Sequence, residues 1–199
     1  FCRSILKKYG HRLHPALSNL DTLQSVDDSR SDSIMRVFNN ISIDEANVLS
    51  EFNAGVKNIK GKYLKENIDK YNSIVISKLL IKNAIPYNAI ITLTIKLFKE
   101  QIGILEFYRN YYTSILVDEF QDTNELQEKI IASFCHENNV FRVGDIKQSI
   151  YGFRQANPKI MQDWMKKEDI NNTPLLLQEN YRSNASVIQF NNDFYSKIM

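Results

Sequence analysis

Two adjacent carboxylates, Asp118 and Glu119, directly follow a short apolar run at residues 115–117. A parallel strand buried on both faces has a continuous apolar run, and ligands of open α/β sheets bind at the carboxyl ends of such strands. In a nucleoside-triphosphate site, the first carboxylate would hold Mg²⁺ through its water ligands, and the second would orient or deprotonate the attacking water. A strand that ends in an acidic turn without a catalytic role is the alternative, and it is the commoner meaning of these few residues alone.

Two further blocks repeat this design, in which a short apolar run ends in polar and aromatic residues. Residues 140–156 read VFRVGDIKQSIYGFRQA, and residues 175–183 read LLLQENYRS. Together and in this order, the three blocks resemble motifs II, III and IV of the UvrD/Rep/PcrA class of superfamily 1 DNA helicases. The wording of residues 143–158, VGDIKQSIYGFRQANP, is similar to the AddA and RecB branch of helicase-nucleases.

The resemblance implies an ATP and Mg²⁺ site with catalytic and nucleotide-binding residues. Asp118 would be the Mg²⁺-associated carboxylate, acting through water, and Glu119 the catalytic base. Gln148 would sense the γ-phosphate and couple it to the DNA site, while Arg182 would reach the γ-phosphate from the second motor domain. A guanidinium suits that role because it pairs with two phosphate oxygens and stays charged. Tyr181 would stack on the adenine.

The resemblance also implies DNA-binding residues on the block at 140–156. Tyr151 and Phe153 would line the path of single-stranded DNA, with Arg154 beside them as a further DNA contact. Stacking on a base contributes ~1 to 3 kcal/mol and tolerates any sequence, which suits a translocating motor. As alternatives, Tyr and Phe at such spacing are more often core residues, and an Arg is more often a solvated surface charge.

A phosphate cradle of the form GxxxxGK[ST] is absent from the sequence. Gly61 and Lys62 are followed by Tyr63, so that pair lacks the required hydroxyl residue. The resemblance therefore implies an internal piece of a helicase, inactive alone, whose partners are single-stranded and duplex DNA and a second helicase-nuclease subunit. Two alternatives stay open: a non-catalytic DNA-binding scaffold protein with a lost phosphate loop, and an interaction module whose helical arm contacts a partner.

The predicted fold class is α/β, a partial RecA-like P-loop NTPase motor domain with a parallel sheet and flanking helices, plus a mostly helical inserted domain. Strands are predicted at 115–118, 140–143 and 175–177, alternating with helices near 125–136, 157–167 and 184–198. The resemblance divides the chain into a 1B-like helical insertion at 1–84, the carboxyl-terminal part of motor domain 1A at 85–170, and the start of motor domain 2A at 171–199.

Local signals predict where individual helices begin. Ser42 followed three residues later by Glu45 predicts a capping box. Pro158 fits the first turn of a helix, where its missing N–H has no intrahelical partner to lose. The polar segment at 27–32 predicts a linker that is mobile or caps a helix.

Composition excludes several classes of function. A formal net charge of +2 gives no strong overall attraction to nucleic acid, and the two cysteines and three histidines form no spaced metal motif. No apolar run approaches the ~18 residues of a membrane span. A cytoplasmic compartment with no membrane partner is the expectation.

Overall fold

The computed structural model describes residues 1–28, 30–37, 39–55, 61–136, 139–167 and 172–198. The chain forms two compact units, Phe1–Lys167 and Glu168–Met199. The first unit contains the helices α1 (Cys2–Tyr9), α2 (Ser31–Val37), α3 (Ile43–Gly55), α4 (Gly61–Ile74), α5 (Tyr87–Glu100), α6 (Ile102–Tyr111), α7 (Glu125–Phe134) and α8 (Pro158–Lys166). Its strands are β1 (Gln24–Val26), β2 (Ala84–Pro86), β3 (Ile115–Val117) and β4 (Val140–Arg142).

Helix α5 lies at the centre of the first unit and packs against α1, α4, α6 and α7. Its buried side chains include Ala89, Leu93 and Leu97, which recur every four residues and are fully buried. This spacing places them on one face of the helix. They join a single core cluster that extends from Ile5 on α1 to Phe134 on α7, so the helices before and after α5 share one core.

A small parallel sheet lies within the region predicted to be mostly helical. Strand β1 pairs with β2, with Gln24 opposite Ala84 and Val26 opposite Pro86, and α2, α3 and α4 lie between them in sequence. Val26 and Ile85 are both 5% exposed. The two strands therefore bury their apolar side chains in the core shared with α5.

Asp28 corrects the prediction for residues 27–32. Its side chain is only 4% exposed, and the hydroxyl of the fully buried Tyr71 donates a hydrogen bond of 2.5 Å to its Oδ2. A buried partner on α4 thus draws this carboxyl into the core, which the polar composition of the segment did not indicate. Burial raises the pKa of Asp28 from 3.8 to about 6, although the hydrogen bond from Tyr71 acts in the opposite direction.

The predicted strands at 115–118 and 140–143 are confirmed as β3 and β4. They pair in parallel, with Ile115 opposite Val140 and Val117 opposite Arg142. One face of this pair is uncovered in the described part of the chain, because Leu116 and its partner Phe141 are 75% and 54% exposed. The carboxyl ends of β3 and β4 carry the two turns that form the candidate site.

Two helix starts are formed as predicted. The N–H of Ser42 donates to Glu45 Oε2 at 2.9 Å, and the N–H of Glu45 donates to Ser42 Oγ at 3.2 Å, so the capping box is confirmed. Pro158 is the first residue of α8, and the side chain of Asn157 caps that helix by accepting from the N–H of Lys159. Local sequence signals therefore determine these boundaries.

The second unit contains α9 (Ala185–Tyr195), whose first turn is capped by the side chain of Asn184. The strand predicted at 175–177 is not formed in the described part of this unit. Leu175, Leu176 and Leu177 are 71%, 70% and 91% exposed. An apolar run needs a neighbouring strand to pair with, and the described residues of this unit supply none.

Across the described residues, no helix is both long and apolar enough to cross a membrane.

Candidate functional site

The chain turns sharply where β3 ends, and this turn carries the two predicted carboxylates. Asp118 Oδ1 accepts a hydrogen bond of 2.9 Å from the N–H of Glu119. Glu119 has φ 51° and ψ 40°, in the left-handed region, where a residue with a side chain costs on the order of 1 to 3 kcal/mol. A short 3₁₀ turn, Phe120–Asp122, follows, and its fully buried Phe120 anchors it. Both carboxylates are exposed beside this anchor.

A second turn follows β4 and is held against the first. The N–H of Phe120 donates to the carbonyl of Val143 at 2.8 Å. Asp145 then caps the 3₁₀ turn Ile146–Gln148, with Oδ1 accepting from the N–H of Lys147 at 3.0 Å. Its other oxygen, Oδ2, accepts from Gln148 Nε2 at 3.1 Å. Asp145 therefore sets the position of the Gln148 side chain.

Gln121 joins the two turns. Its Nε2 donates to Glu119 Oε2 at 2.7 Å, and its Oε1 accepts from the N–H of Asp145 at 3.0 Å. The side chain is 1% exposed. Asp118 and Glu119 thus share the carboxyl end of the β3–β4 pair with Gln148, and hydrogen bonds through Gln121 and Asp145 connect them. The sequence analysis missed Gln121, although its position beside the buried Phe120 in a tight acidic turn was a usable signal.

Gly144 allows this close approach of the two turns. A Cβ at Gly144 would lie 2.3 Å from Gln121 Oε1 and 3.1 Å from the backbone nitrogens of Gln121 and Phe120. The first of these distances is far below van der Waals contact, so any other residue would displace the Gln121 amide or the turn. Gly144 was quoted in the GDIKQ block but was given no role from the sequence.

A buried ion pair supports the turns from the side of α7 and α8. Glu128 Oε1 accepts from Trp164 Nε1 at 3.0 Å and pairs with the Arg142 guanidinium at 3.4 Å. The guanidinium lies 5.2 Å from the ring centroid of Phe120. Burial raises the pKa of Glu128, while Arg142 and Trp164 oppose that shift. Helix α8 also packs directly on the 3₁₀ turn that follows Glu119.

The predicted DNA-binding aromatics lie on the loop after Gln148. Tyr151 and Phe153 are 37% and 78% exposed, and their ring centroids are 5.8 Å apart. The backbone of Arg154 completes a 3₁₀ turn with Gly152 and Phe153, but the Arg154 side chain lies outside the described part of the structure. Gln155 follows with φ 67°.

The side chain of Gln155 anchors this loop to the helical region. Its Nε2 donates to the carbonyl of Asn53 at the end of α3. Asn53 Oδ1 in turn accepts from Asn88 Nδ2 at 2.5 Å, near the start of α5. Three amides therefore fix the aromatic-bearing loop relative to α3 and α5.

Tyr181 and Arg182 belong to the second unit. Asn180 Oδ1 accepts from the N–H groups of Arg182 and Ser183, both at 3.0 Å, so Asn180 shapes this turn. Tyr181 is 90% exposed, and its hydroxyl donates to Glu179. Both residues are thus displayed on the surface of their own unit.

The sequence and fold define a class of protein, which comparisons with known proteins identify. Residues 1–169 match the model of the UvrD/REP helicase N-terminal domain. Since this match covers most of the chain, the chain belongs to the UvrD/REP helicase family, and the predicted resemblance is confirmed.

Relatives among characterised proteins carry helicase and nuclease names. The chain is 39% identical over 121 residues to the exonuclease/helicase subunit RexA of Lactococcus lactis subsp. cremoris, covering 59% of the chain and 10% of that protein. It is 34% identical over 140 residues to the A-type subunit of the ATP-dependent helicase/nuclease of Streptococcus pyogenes serotype M3, covering 68% of the chain and 11% of that protein. The chain thus spans about a tenth of the length of these relatives.

Proposed function

We propose that the chain is part of an ATP-dependent DNA helicase that acts in DNA repair and recombination, namely the RexA-like, A-type subunit in a helicase-nuclease. The observation that carries this proposal is the hydrogen-bonded connection between the acidic turn of Asp118 and Glu119 and the turn of Gln148. The names of the Lactococcus and Streptococcus relatives support it. The complete protein that contains this sequence is called the full-length protein below.

Three side chains would carry the chemistry of ATP hydrolysis. Bound ATP and Mg²⁺ would supply the phosphoanhydride and the charge that stabilises its cleavage. Asp118 would hold Mg²⁺ through water, since hard cations prefer carboxylate oxygens. Glu119 would accept the proton of the attacking water, and its exposed carboxylate is already held in one orientation by Gln121. Gln148 would donate to the γ-phosphate in place of its present acceptor, Asp145.

The fold supports a finer division of the chain. We propose that residues 85–170 are part of a RecA-like motor domain and that residues 171–199 begin the second one. The parallel pairing of β3 with β4 and the start of a second compact unit at Glu168 support this assignment. Residues 1–84 would be the 1B-type insertion. Because they share a core with α5, this insertion would pack firmly on the motor domain.

The same proposal assigns the remaining site residues. Tyr151, Phe153 and Arg154 would contact single-stranded DNA, and the exposed rings of Tyr151 and Phe153 support a stacking role. Tyr181 would stack on adenine and Arg182 would contact the γ-phosphate, which their exposure on the second unit permits. A second helicase-nuclease subunit would be the protein partner, because both relatives are named as subunits.

A strand-separation assay on the full-length protein tests this proposal. We expect unwinding of a tailed DNA duplex that requires ATP and Mg²⁺, and we expect Asp118→Asn to abolish unwinding while DNA binding remains. Glu106→Gln is a matched control, because Glu106 is an exposed acid on α6 that pairs with Arg109. A wild-type protein that binds DNA but neither hydrolyses ATP nor unwinds would favour the scaffold alternative.

A further inference from the structure

We propose that Gln121 is a positioning residue, which holds the Glu119 carboxylate in its working orientation and links that orientation to the Gln148 turn. The inference rests on the proposed function, because it assigns Glu119 and Gln148 the roles given above. It adds a residue that has no role in the motif assignments.

The direction of the Gln121 amide follows from its two partners. The backbone N–H of Asp145 can only donate, so the atom that receives it at 3.0 Å must be the Gln121 oxygen. Nε2 is then turned towards Glu119 Oε2 at 2.7 Å, where a carboxylate needs a donor. Both ends of the amide are satisfied in this orientation alone. No flip of the amide preserves either hydrogen bond.

The surroundings of Gln121 leave its side chain little freedom. It is 1% exposed, its own carbonyl accepts from Ser149 Oγ at 3.2 Å, and a Cβ on Gly144 would lie 2.3 Å from its Oε1. Glu119, in contrast, is exposed and has a long, flexible side chain. The buried amide therefore orders an acid that solvent would otherwise leave in several rotamers.

The same contacts form a route between the two turns. Gln148 donates to Asp145, the N–H of Asp145 donates to Gln121, and Gln121 donates to Glu119. When Gln148 moves from Asp145 to a γ-phosphate, the Asp145 turn loses one of its constraints. The Gln121 amide would pass that change to Glu119, so the base would be aligned only when the phosphate sensor is engaged.

Replacing Gln121 by Met tests the inference, since Met has a similar length but neither donates nor accepts strongly. In single-turnover phosphate release by the full-length protein with single-stranded DNA, we expect Gln121→Met to slow hydrolysis by ~10-fold to ~10²-fold, the loss typical of a misaligned catalytic group. Nucleotide affinity should change by less than about 2-fold, because the residue does not touch the nucleotide. Gln121→Glu keeps the acceptor for Asp145 and removes the donor to Glu119, so it should slow hydrolysis in the same way.

Gln127→Met is the matched control. Gln127 Oε1 accepts from the N–H of Asn124 in the capping box of α7, so the same chemical change removes a hydrogen bond of 2.9 Å close to the site. We expect it to lower thermal stability slightly and to leave hydrolysis unchanged. Equal slowing by Gln127→Met and Gln121→Met would mean that general loosening of the turn explains the effect, and would overturn the inference.

A double mutant separates a role through Glu119 from an independent one. In a Glu119→Gln background, Gln121→Met should slow the residual hydrolysis by less than about 2-fold, because residues that act as a unit give non-additive losses. A further loss as large as that in the wild-type background would contradict the positioning role. Rapid hydrolysis by Glu119→Gln alone would instead refute the proposed function. Normal hydrolysis by Gln121→Met, with Glu119→Gln inactive, would refute this inference only.

Discussion

The guanidinium of Arg142 lies 4.1 Å from the ring centroid of Trp164 and joins the last residue of β4 to α8. The indole N–H donates to the same Glu128 oxygen that pairs with Arg142. Arg142 and Glu128 are 17% and 15% exposed at their side chains. This buried cluster supports the turns that carry the candidate catalytic residues.

Trp164→Leu should destabilise the chain without touching the catalytic residues. It removes the cation–π contact and one donor to a buried carboxylate, so we expect a loss of about 2 kcal/mol in the free energy of unfolding. Urea unfolding followed by circular dichroism measures this loss. Met165→Leu on the same helix is the control, with an expected change within about 0.5 kcal/mol. Equal stability of the two variants would show that the cluster contributes nothing.

Asp28 should make stability depend on pH. Its folded pKa is raised from 3.8 to about 6, so the folded state binds the proton more tightly than the unfolded state. The resulting stabilisation is complete below pH ~4, falls as the pH rises from ~4 to ~6, and is absent above that window. The total change is on the order of 2 to 3 kcal/mol.

Asp28→Asn isolates this effect, because Asn does not titrate and its carbonyl oxygen can still accept from Tyr71. The difference in unfolding free energy between wild type and Asp28→Asn should shift by on the order of 2 to 3 kcal/mol, in favour of Asn, between pH 4 and pH 7. Chemical denaturation at several pH values measures it. A difference that stays constant across that range would show that Asp28 ionises normally.

The 199-residue chain alone should bind ATP only weakly, since its sequence has no GxxxxGK[ST] loop to hold the phosphates. We expect a dissociation constant on the order of millimolar or weaker, and turnover at the background rate with or without DNA. Isothermal titration calorimetry and phosphate release check both expectations. Micromolar binding would show that another part of the chain holds the phosphates.

Phe153→Ala in the full-length protein should separate DNA coupling from phosphate chemistry. The ring is 78% exposed and lies outside the Glu119–Gln121–Asp145 connection. Loss of one stacking platform should weaken DNA binding by ~1 to 3 kcal/mol, so DNA stimulation and unwinding should fall while DNA-independent hydrolysis is kept. Phe107→Ala, at a 48% exposed aromatic on α6, is the control. Unchanged unwinding by Phe153→Ala would assign the ring to packing.

Sequence reasoning succeeded where a local signal determines the structure. The Ser42 capping box, the first turn at Pro158 and the pair of strands ending at Val117 and Arg142 were all predictable, because each depends on a few adjacent residues. It failed where distant packing decides. Strands β1 and β2 are three residues each and pair across a long insertion, and no local pattern indicates such a pairing.

The candidate site shows the same division. Asp118, Glu119 and Gln148 could be placed at one edge of a sheet, because the ends of parallel strands meet there. Gln121 could not be assigned its role, since the role depends on an amide contact with Asp145 across the two turns. Asp28 likewise became buried through Tyr71, which is 43 residues away in sequence.

Single-turnover hydrolysis by Glu119→Gln in the full-length protein tests the central claim most directly. The change keeps the size of the side chain and removes the base, so we predict a loss of ~10² or more in hydrolysis, with binding of ATP and Mg²⁺ nearly unchanged. Glu125→Gln, six residues further along the chain, is the matched control and should hydrolyse ATP normally. Hydrolysis by Glu119→Gln at the wild-type rate, with wild-type nucleotide affinity, would contradict the assignment of this turn as the ATP-hydrolysing site.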